Sequence, residues 1–82
     1  MKTLFELLTE AAHERADGHF AVMRFTRNWR VGFGTPSDRF DIDAMHVGST
    51  FEQAAKAALN ESADAYRRRM YRALQTRDAS YP

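Results

Sequence analysis

The chain has 82 residues, of which 44% are hydrophobic and 28% charged, and it contains no cysteine. This composition argues against intrinsic disorder, and the missing cysteine excludes a disulfide framework or a thiolate metal site. A formal net charge of +1 gives no overall case for nucleic-acid binding. Glutamates interrupt the N-terminal stretch MKTLFELLTEAAHERA, so neither a signal peptide nor a membrane span is expected. We therefore expect one cytoplasmic domain over residues 1–78 and a flexible tail at 79–82.

The first predicted element is a helix from about Leu4 to Ala16. Thr3 and Glu6 have the spacing of a capping box, which satisfies free backbone donors at a helix N-terminus. Gly18 can take the left-handed conformation that ends a helix. The residues that recur at helical spacing form one apolar stripe: Leu4, Phe5, Leu8, Ala11 and Ala12.

Residues 19–34 change to a period of two and predict a β-hairpin. A two-residue turn at 27–28 would place Arg24 opposite Val31, among core residues. A three-residue loop at 26–28 instead gives one wholly apolar face and puts an asparagine where a left-handed residue is preferred. We therefore predict the three-residue loop. Its cross-strand pairs are Phe25 with Trp29, Met23 with Val31, and Ala21 with Phe33.

This register predicts an open sheet face that is positively charged. Arg24 would lie opposite Arg30, where like charges repel, and Arg27 at the loop tip would add a third cation. Either Asp41 and Asp43 balance these charges within the chain, or an acidic partner docks on this face. The residues expected on the open face are Phe20, Val22, Arg24, Arg30, Gly32 and Gly34.

The segment RFDIDAMHV alternates apolar residues with Asp41 and Asp43, which predicts a third strand after a turn at 35–38. Ser49 with Glu52, or Thr50 with Gln53, can then cap a helix. Its helical phase continues to about Gln75, as one helix or as two divided at residues 60–62. The order αβββα predicts an α+β two-layer sandwich, in which two helices cover one face of a three-stranded antiparallel sheet.

The C-terminal helix carries the strongest local charge signal. Five arginines and no acid occur between Tyr66 and Arg77. They could contact a partner, or form a solvated helix end whose cations favour the C-terminal dipole, with Arg69 lying along the edge of the core. The helix residues predicted to bind a partner are Arg67, Arg68, Tyr71 and Arg72, together with Arg24, Arg27 and Arg30 of the hairpin. The apolar residues predicted to form a homodimer interface are Met70, Ala73 and Leu74.

No residue pattern indicates catalysis. Neither a nucleophile–histidine–acid arrangement nor a pair of catalytic acids is evident, and so small a domain leaves little room for a substrate cleft. Asp41 and Asp43 would share a strand face, but His46 would lie on the other, so a metal site would need a bulge. We expect no enzymatic activity, no cofactor and no metal.

In its size, lack of cysteine, capped helices and small sheet, the whole chain resembles the accessory proteins of phages and other mobile elements, in particular anti-CRISPR proteins. Many anti-CRISPR proteins are small α+β folds that block a nucleic-acid-guided effector by direct contact. They share no common sequence motif, so the resemblance assigns a role to no residue. Many of them present acidic surfaces that imitate nucleic acid, whereas this chain has arginine clusters. The resemblance therefore implies contact with a protein surface rather than mimicry of DNA.

These observations lead to two functional hypotheses. The first is a non-enzymatic protein-binding inhibitor of the anti-CRISPR type, which blocks a host effector complex by steric occlusion. The alternative is a small nucleic-acid-binding domain that uses the basic hairpin and the arginine-rich helix together. A structural homo-oligomer is a third option, which the sequence does not separate from the first.

Overall fold

The computed structural model describes residues 1–80, with side chains as far as Gln75. The elements in chain order are α1 (Leu4–Arg15), β1 (Phe20–Arg24), β2 (Trp29–Phe33), α2 (Arg39–Asp43), β3 (His46–Gly48), α3 (Phe51–Asn60) and α4 (Ala63–Ser80). The strands form one antiparallel sheet in the order β1-β2-β3. The predicted α+β class with a three-stranded antiparallel sheet is confirmed. The predicted order αβββα is not, because α2 separates β2 from β3 and the C-terminal helical region is divided.

Local capping explains the ends of α1. The Thr3 hydroxyl accepts a hydrogen bond from the Glu6 amide at 3.1 Å, as the capping-box spacing predicts. At the other end, Gly18 has φ +86° and its amide donates to the Ala12 carbonyl at 3.0 Å. The same carbonyl also accepts from the Ala16 amide at 2.7 Å, so the helix ends where Asp17 and Gly18 both take left-handed conformations. The predicted helix is confirmed to within one residue of its C-terminal end.

The C-terminal helical region is divided at Glu61, which settles the question that the sequence left open. Thr50 caps α3 by accepting from the Gln53 amide at 3.1 Å. Ser62 caps α4 by accepting from the Ala65 amide, also at 3.1 Å. Helix α4 reaches residue 80, beyond the end predicted near Gln75. The flexible tail predicted at 79–82 stays a prediction, since residues 81 and 82 lie outside the described residues.

The hairpin register predicted from the sequence is wrong by one residue. The observed pairs are Phe20 with Phe33, Val22 with Val31, and Arg24 with Trp29. Four residues connect the strands, and across this connection the Phe25 amide donates to the Asn28 carbonyl at 2.8 Å. The shift moves each side chain of β1 to the opposite face. Phe20, Val22 and Arg24 therefore share a face with Trp29, Val31 and Phe33, and the predicted open face is incorrect.

An interaction at the end of the sheet explains this register. Arg24 was expected to be excluded from the apolar face, yet its guanidinium lies 5.5 Å from the centre of the Trp29 ring. Because Arg24 is the last residue of β1 and is exposed, its charge stays in water while its side chain stacks on the indole. Arg24 and Arg30 are on opposite faces, so the predicted repulsion between them does not arise.

The third strand lies further along the chain than predicted. The segment with alternating aspartates is instead the short helix α2, capped by Asp38, whose carboxylate accepts from the Asp41 amide at 3.0 Å. The strand β3 follows α2 and pairs its Val47 with Arg30 of β2. One turn of capped helix places acidic residues at its own N-terminal end, where the helix dipole favours them. The segment RFDIDAMHV, predicted as a strand, is helical at Arg39–Asp43, and only its last two residues, His46 and Val47, lie in β3.

The core lies between the sheet and the two helices α1 and α3. Its fully buried residues are Leu8, Val31, Ala54, Ala55 and Ala58. The alanines allow α3 to approach the sheet closely, and a Cβ atom at Gly48 would collide with the backbone nitrogen of Ala54. On the opposite face, the segment after α2 covers part of the sheet, because Met45 packs over Gly32. The rest of that face is open, including Val47.

Candidate interaction surface on helix α4

An ion pair fixes the start of α4 to the rest of the domain. Arg69 Nε lies 2.8 Å from Oε2 of Glu61, and its Nη2 lies 2.9 Å from Oε1. The third nitrogen, Nη1, donates to the Ala44 carbonyl at 2.7 Å, just beyond α2. These two-point hydrogen bonds with Arg69 lower the pKa of Glu61 from its ordinary value. Arg69 is therefore a structural residue and not part of a free basic surface.

Glu61 also connects the remaining elements around it. His46 Nε2 of β3 lies 3.2 Å from Oε1 of Glu61, and Arg15 Nη2 of α1 donates to the Glu61 carbonyl at 2.7 Å. The side chain of Glu61 is only 14% exposed. One residue at the α3–α4 junction thus holds together contacts from α1, β3 and α4. We call Glu61, Arg69, His46 and Arg15 the Glu61 cluster.

The metal-site alternative is not supported by the positions of its three residues. His46 turns to Glu61, Asp43 pairs with Arg30, and Asp41 accepts from the amide and the hydroxyl of Ser37 at 2.9 Å. Among the described residues, no group of three or more histidine, aspartate or glutamate side chains is placed to hold a metal ion.

Two further contacts hold the first turns of α4. The Tyr66 hydroxyl donates to the Phe33 carbonyl at 3.1 Å, and the two rings meet edge to face at 5.7 Å. Burial raises the pKa of the Tyr66 phenol. On the side of α1, Arg67 Nη2 donates to the Glu14 carbonyl at 2.9 Å. Helix α4 is therefore attached to both β2 and α1.

The outward side of α4 carries two adjacent rows of exposed side chains. Their spacing of four and then three residues places each row along one side of the helix. Tyr71 is 64% exposed and Leu74 is 56% exposed. Arg68 and Arg72 are exposed and have no ionic partner among the described residues. We call this surface the α4 strip; its rows are Arg67, Tyr71 and Leu74, and Arg68, Arg72 and Gln75.

The hairpin arginines do not form the predicted cluster. Arg30 is held within the chain: its Nη1 donates to the Ile42 carbonyl at 3.0 Å and lies 3.5 Å from Asp43 Oδ1, and its guanidinium stacks on Phe25. The prediction that an aspartate of the same chain balances the hairpin charges is thus confirmed for Arg30. The aspartate is Asp43, and it lies in α2 rather than in a strand. Of the three hairpin arginines predicted to bind a partner, only Arg27 is exposed and makes no side-chain hydrogen bond, ion pair or ring contact within the described part of the chain.

The hairpin loop and α4 lie at opposite ends of the sheet. Tyr66 binds at the Phe33 end of β2, whereas Arg27 lies beyond the Trp29 end. Four residue steps along a strand cover about 13 Å, so only an extended partner could contact both basic groups at once. The predicted use of hairpin and helix by one partner stays a prediction.

The predicted dimer residues on α4 lie in different surroundings. Met70 is half-buried and lines a cleft of about 200 Å³ between α2, α4 and the end of β2, where it meets Gly34 and Met45. Ala73 is half-buried and Leu74 is exposed. Met70 is thus partly used by its own chain, and a helix-mediated homodimer stays a prediction.

Sequence reasoning missed Glu61 as the centre of the cluster. The sequence marked Glu61 only as one of three residues at which a helix could end. Its partners Arg69, His46 and Arg15 lie 8, 15 and 46 positions away along the chain, so no local pattern connects them to it. Its spacing from Arg69 matches no local helical pair. The break between α3 and α4 brings the two side chains together.

Comparisons with known proteins give no relative from which a function could be inferred. No protein-family model matches the chain, and neither curated proteins nor solved structures give a significant match. Within the part of the chain that the structure describes, no helix is both long and apolar enough to cross a membrane. The function is therefore argued from the residues of the chain itself.

Proposed function

We propose that this chain is a non-enzymatic protein-binding inhibitor of the phage or mobile-element type, and that it occludes a surface of a nucleic-acid-guided effector complex, as anti-CRISPR proteins do. The α4 strip is the binding surface. The observation that carries this proposal is the combination, on one anchored helix, of exposed Tyr71 and Leu74 with Arg68 and Arg72, which have no ionic partner among the described side chains.

The chemistry of the strip favours a protein partner with an acidic groove. Arginine and tyrosine are enriched among the residues that carry most of the energy of protein interfaces. Side chains at positions i, i+4 and i+7 are the pattern by which a helix fills a groove. Leu74 would be buried by an apolar lining in such a groove, whereas a phosphate backbone offers it no contact. Arg68 and Arg72 would meet acidic residues at the rim.

The alternative is a nucleic-acid-binding surface on α4. It is favoured by one observation, the two exposed arginines Arg68 and Arg72 that lie beside Tyr71 along the strip. It predicts that the logarithm of the affinity falls by about 0.9 for each logarithm of salt concentration and each phosphate contacted. Binding curves that stay flat with short duplex and single-stranded DNA and RNA at low salt would remove it.

The direct test uses purified nucleic-acid-guided nuclease complexes. We expect the chain to co-elute with at least one such complex and to reduce its cleavage of a matched target. In the variant Arg68→Ala/Arg72→Ala, or in Tyr71→Ala, loss of a principal contact of about 2 kcal/mol would weaken binding by about 30-fold. Arg27→Ala is the matched control, because it removes an exposed arginine at the far end of the sheet and should leave binding unchanged.

The same experiment can contradict the proposal in two ways. If no effector complex binds or is inhibited, the assignment to the inhibitor type fails. If binding occurs but is equally strong in the strip variants and reduced in Arg27→Ala, the α4 strip is not the surface. Thermal unfolding of each variant confirms that a loss of binding does not reflect a loss of fold.

A further inference from the structure

The outer edge of β1 exposes backbone hydrogen-bonding groups. In an antiparallel pair, residues alternate between those bonded to the neighbouring strand and those whose amide and carbonyl point away from it. The hydrogen bonds from Phe25 to Asn28 and from Gly34 to His19 fix this alternation at both ends of the hairpin. The bonded residues of β1 are therefore Ala21 and Met23. The residues whose backbone groups point outward are Phe20, Val22 and Arg24.

No other part of the described chain pairs with this edge. β1 is an outer strand of the sheet, and neither the described backbone nor the side chains as far as Gln75 provide a partner for the outward groups of Phe20, Val22 or Arg24. Natural edge strands are commonly protected by short length, charged side chains, proline, a bulge or a covering loop. β1 has the sequence FAVMR, without proline or lysine, and its only charged residue is Arg24 at the end of the strand. The edge is therefore ready to accept another strand.

From this edge we infer that two copies of the chain pair through β1, antiparallel and about a two-fold axis at Val22, to form a continuous six-stranded sheet. In that register Val22 lies opposite Val22 of the partner subunit. Phe20 lies opposite Arg24 of the partner subunit, and each such pair exchanges backbone hydrogen bonds. The contact is self-complementary, as a two-fold interface requires.

The side chains on both faces suit this register. Arg24 meets an aromatic residue of the partner subunit instead of a second arginine, so no like charges are opposed and a cation–π contact can form. On the other face, Ala21 lies opposite Met23 of the partner subunit, which is an apolar pair. Any register in which Arg24 faced its own copy would place two cations across the ladder.

Exposed apolar groups beside β1 give a second reason for this contact. Phe5 of α1 packs edge to face on Phe20 with ring centres 5.2 Å apart, yet it remains 61% exposed. Val22 is 37% exposed on the same side. A two-fold axis perpendicular to the sheet keeps the helix-covered faces on one side, so the two α1 helices would approach each other and cover these residues. A small domain without disulfides gains stability from such burial.

The inference concerns a different surface from the α4 strip and does not depend on it. It also differs from a homodimer through Met70, Ala73 and Leu74. Pairing through β1 leaves α4 of both subunits free, so the dimer would present two copies of the α4 strip. Such an arrangement can strengthen binding to a partner with two suitable sites.

Charge exchange at the two-fold axis tests the inference. In sedimentation at micromolar concentration, we expect the wild type to have twice the 9.4 kDa mass of one chain. Val22→Lys or Val22→Glu alone places like charges opposite each other and should raise the dissociation constant by up to about fivefold. An equimolar mixture of the two variants should restore the dimer, because Lys then faces Glu. Leu74→Asp is the matched control and should leave the dimer intact.

Amide hydrogen exchange of the wild type gives a second measurement that needs no variant. We expect the amides of Phe20, Val22 and Arg24 to become protected as concentration rises, while those of Ala21 and Met23 are protected throughout. A wild type that stays at 9.4 kDa with fast exchange at Val22 would overturn the inference. So would a dimer that Val22→Lys leaves intact and Leu74→Asp abolishes. If the mixture of charge variants fails to associate, the two-fold register at Val22 is wrong.

Discussion

Replacing Glu61 by glutamine should show how much the Glu61 cluster contributes to stability. Glu61→Gln keeps the shape of the side chain but removes its charge. Arg69 then loses an ionised acceptor and faces an amide that can accept only one of its two former hydrogen bonds. His46 also loses the carboxylate oxygen at 3.2 Å. One substitution therefore weakens the contacts of Glu61 with two elements, α4 and β3, while the bond from Arg15 to the Glu61 main-chain carbonyl is kept.

The size of the effect follows from burial and geometry. A hydrogen bond to a charged group contributes about 1.5–3 kcal/mol, and breaking a fully buried ion pair costs about 3–5 kcal/mol. Glu61 is 14% exposed and Arg69 is 33% exposed, so the pair is only partly shielded from water. We expect the free energy of unfolding to fall by about 2 kcal/mol. For a domain of this size, that corresponds to a lower melting temperature by about 8–16 °C.

The pH dependence has a definite direction. The pKa of Glu61 in the folded protein is lowered by Arg69, so the carboxylate binds protons more readily in the unfolded chain. The stabilisation is therefore complete above the unfolded pKa of about 4.3, and it is lost as the pH falls through the lower folded value. The stability difference between wild type and Glu61→Gln should be constant from pH 5 to pH 7 and should shrink below about pH 4.

Urea denaturation followed by Trp29 fluorescence and by far-ultraviolet circular dichroism measures this difference at each pH. Glu52→Gln is the control. Glu52 bonds Lys56 at the surface of α3, its pKa is likewise lowered, mainly by that hydrogen bond, and no measurable loss of stability is expected. Equal stability of Glu61→Gln and wild type at pH 7 would refute the reasoning. A difference that persists unchanged to pH 3 would show that the carboxylate charge is not its cause.

Two further substitutions test the contacts that position α3 and α4. Gly48→Ala should lower the free energy of unfolding by about 1–3 kcal/mol in urea, because the added methyl group would push α3 away from the sheet at Ala54; full stability would mean that the helix can shift freely. Tyr66→Phe should cost about 1 kcal/mol through loss of the bond to the Phe33 carbonyl. In a spectrophotometric titration, Tyr66→Phe should also remove a phenol that ionises above the usual tyrosine pKa of about 10. An unchanged titration curve would show that Tyr66 is not that phenol.

The helices were predictable because their signals are local. Thr3, Gly18 and Thr50 each act on backbone groups within a few residues, so spacing along the chain is enough to identify them. The sequence could not decide whether the helix breaks at Glu61. Ser62 is a good N-cap and favours a break, but the apolar residues before and after it keep the same helical spacing and favour one helix. The number of strands and the α+β class followed from the same local patterns.

The hairpin register could not be derived from alternation alone. Both registers give β2 the same inward residues, Trp29, Val31 and Phe33, and they differ only in which residues of β1 face them. The sequence argument rejected the true register because it treated Arg24 as a charge that cannot share an apolar face. At the end of a strand that rule fails, since a guanidinium can stack on an indole and remain in water.

The third strand and the interaction surface depended on contacts that the sequence does not reveal. Five residues with period-two alternation also fit one turn of helix, and the Asp38 cap decides between them. The arginine run was correctly placed on a helix. Arg69 was correctly set apart from the others as a residue along the edge of the core, but its ion pair with Glu61 beyond the helix break was not predicted.

The attachment of α4 has a consequence for the entropy of binding. A free helix would have to be ordered by its partner, and part of the interaction energy would be spent on that ordering. Here Tyr66, Arg67 and Arg69 fix the first two turns to β2, α1 and the end of α2 before any partner arrives. A ligand of the α4 strip would therefore restrict the motion of side chains such as Tyr71 and Arg72 but not that of the anchored turns. Since most helical stability in proteins comes from tertiary packing, these anchors hold α4 as a rigid binding element.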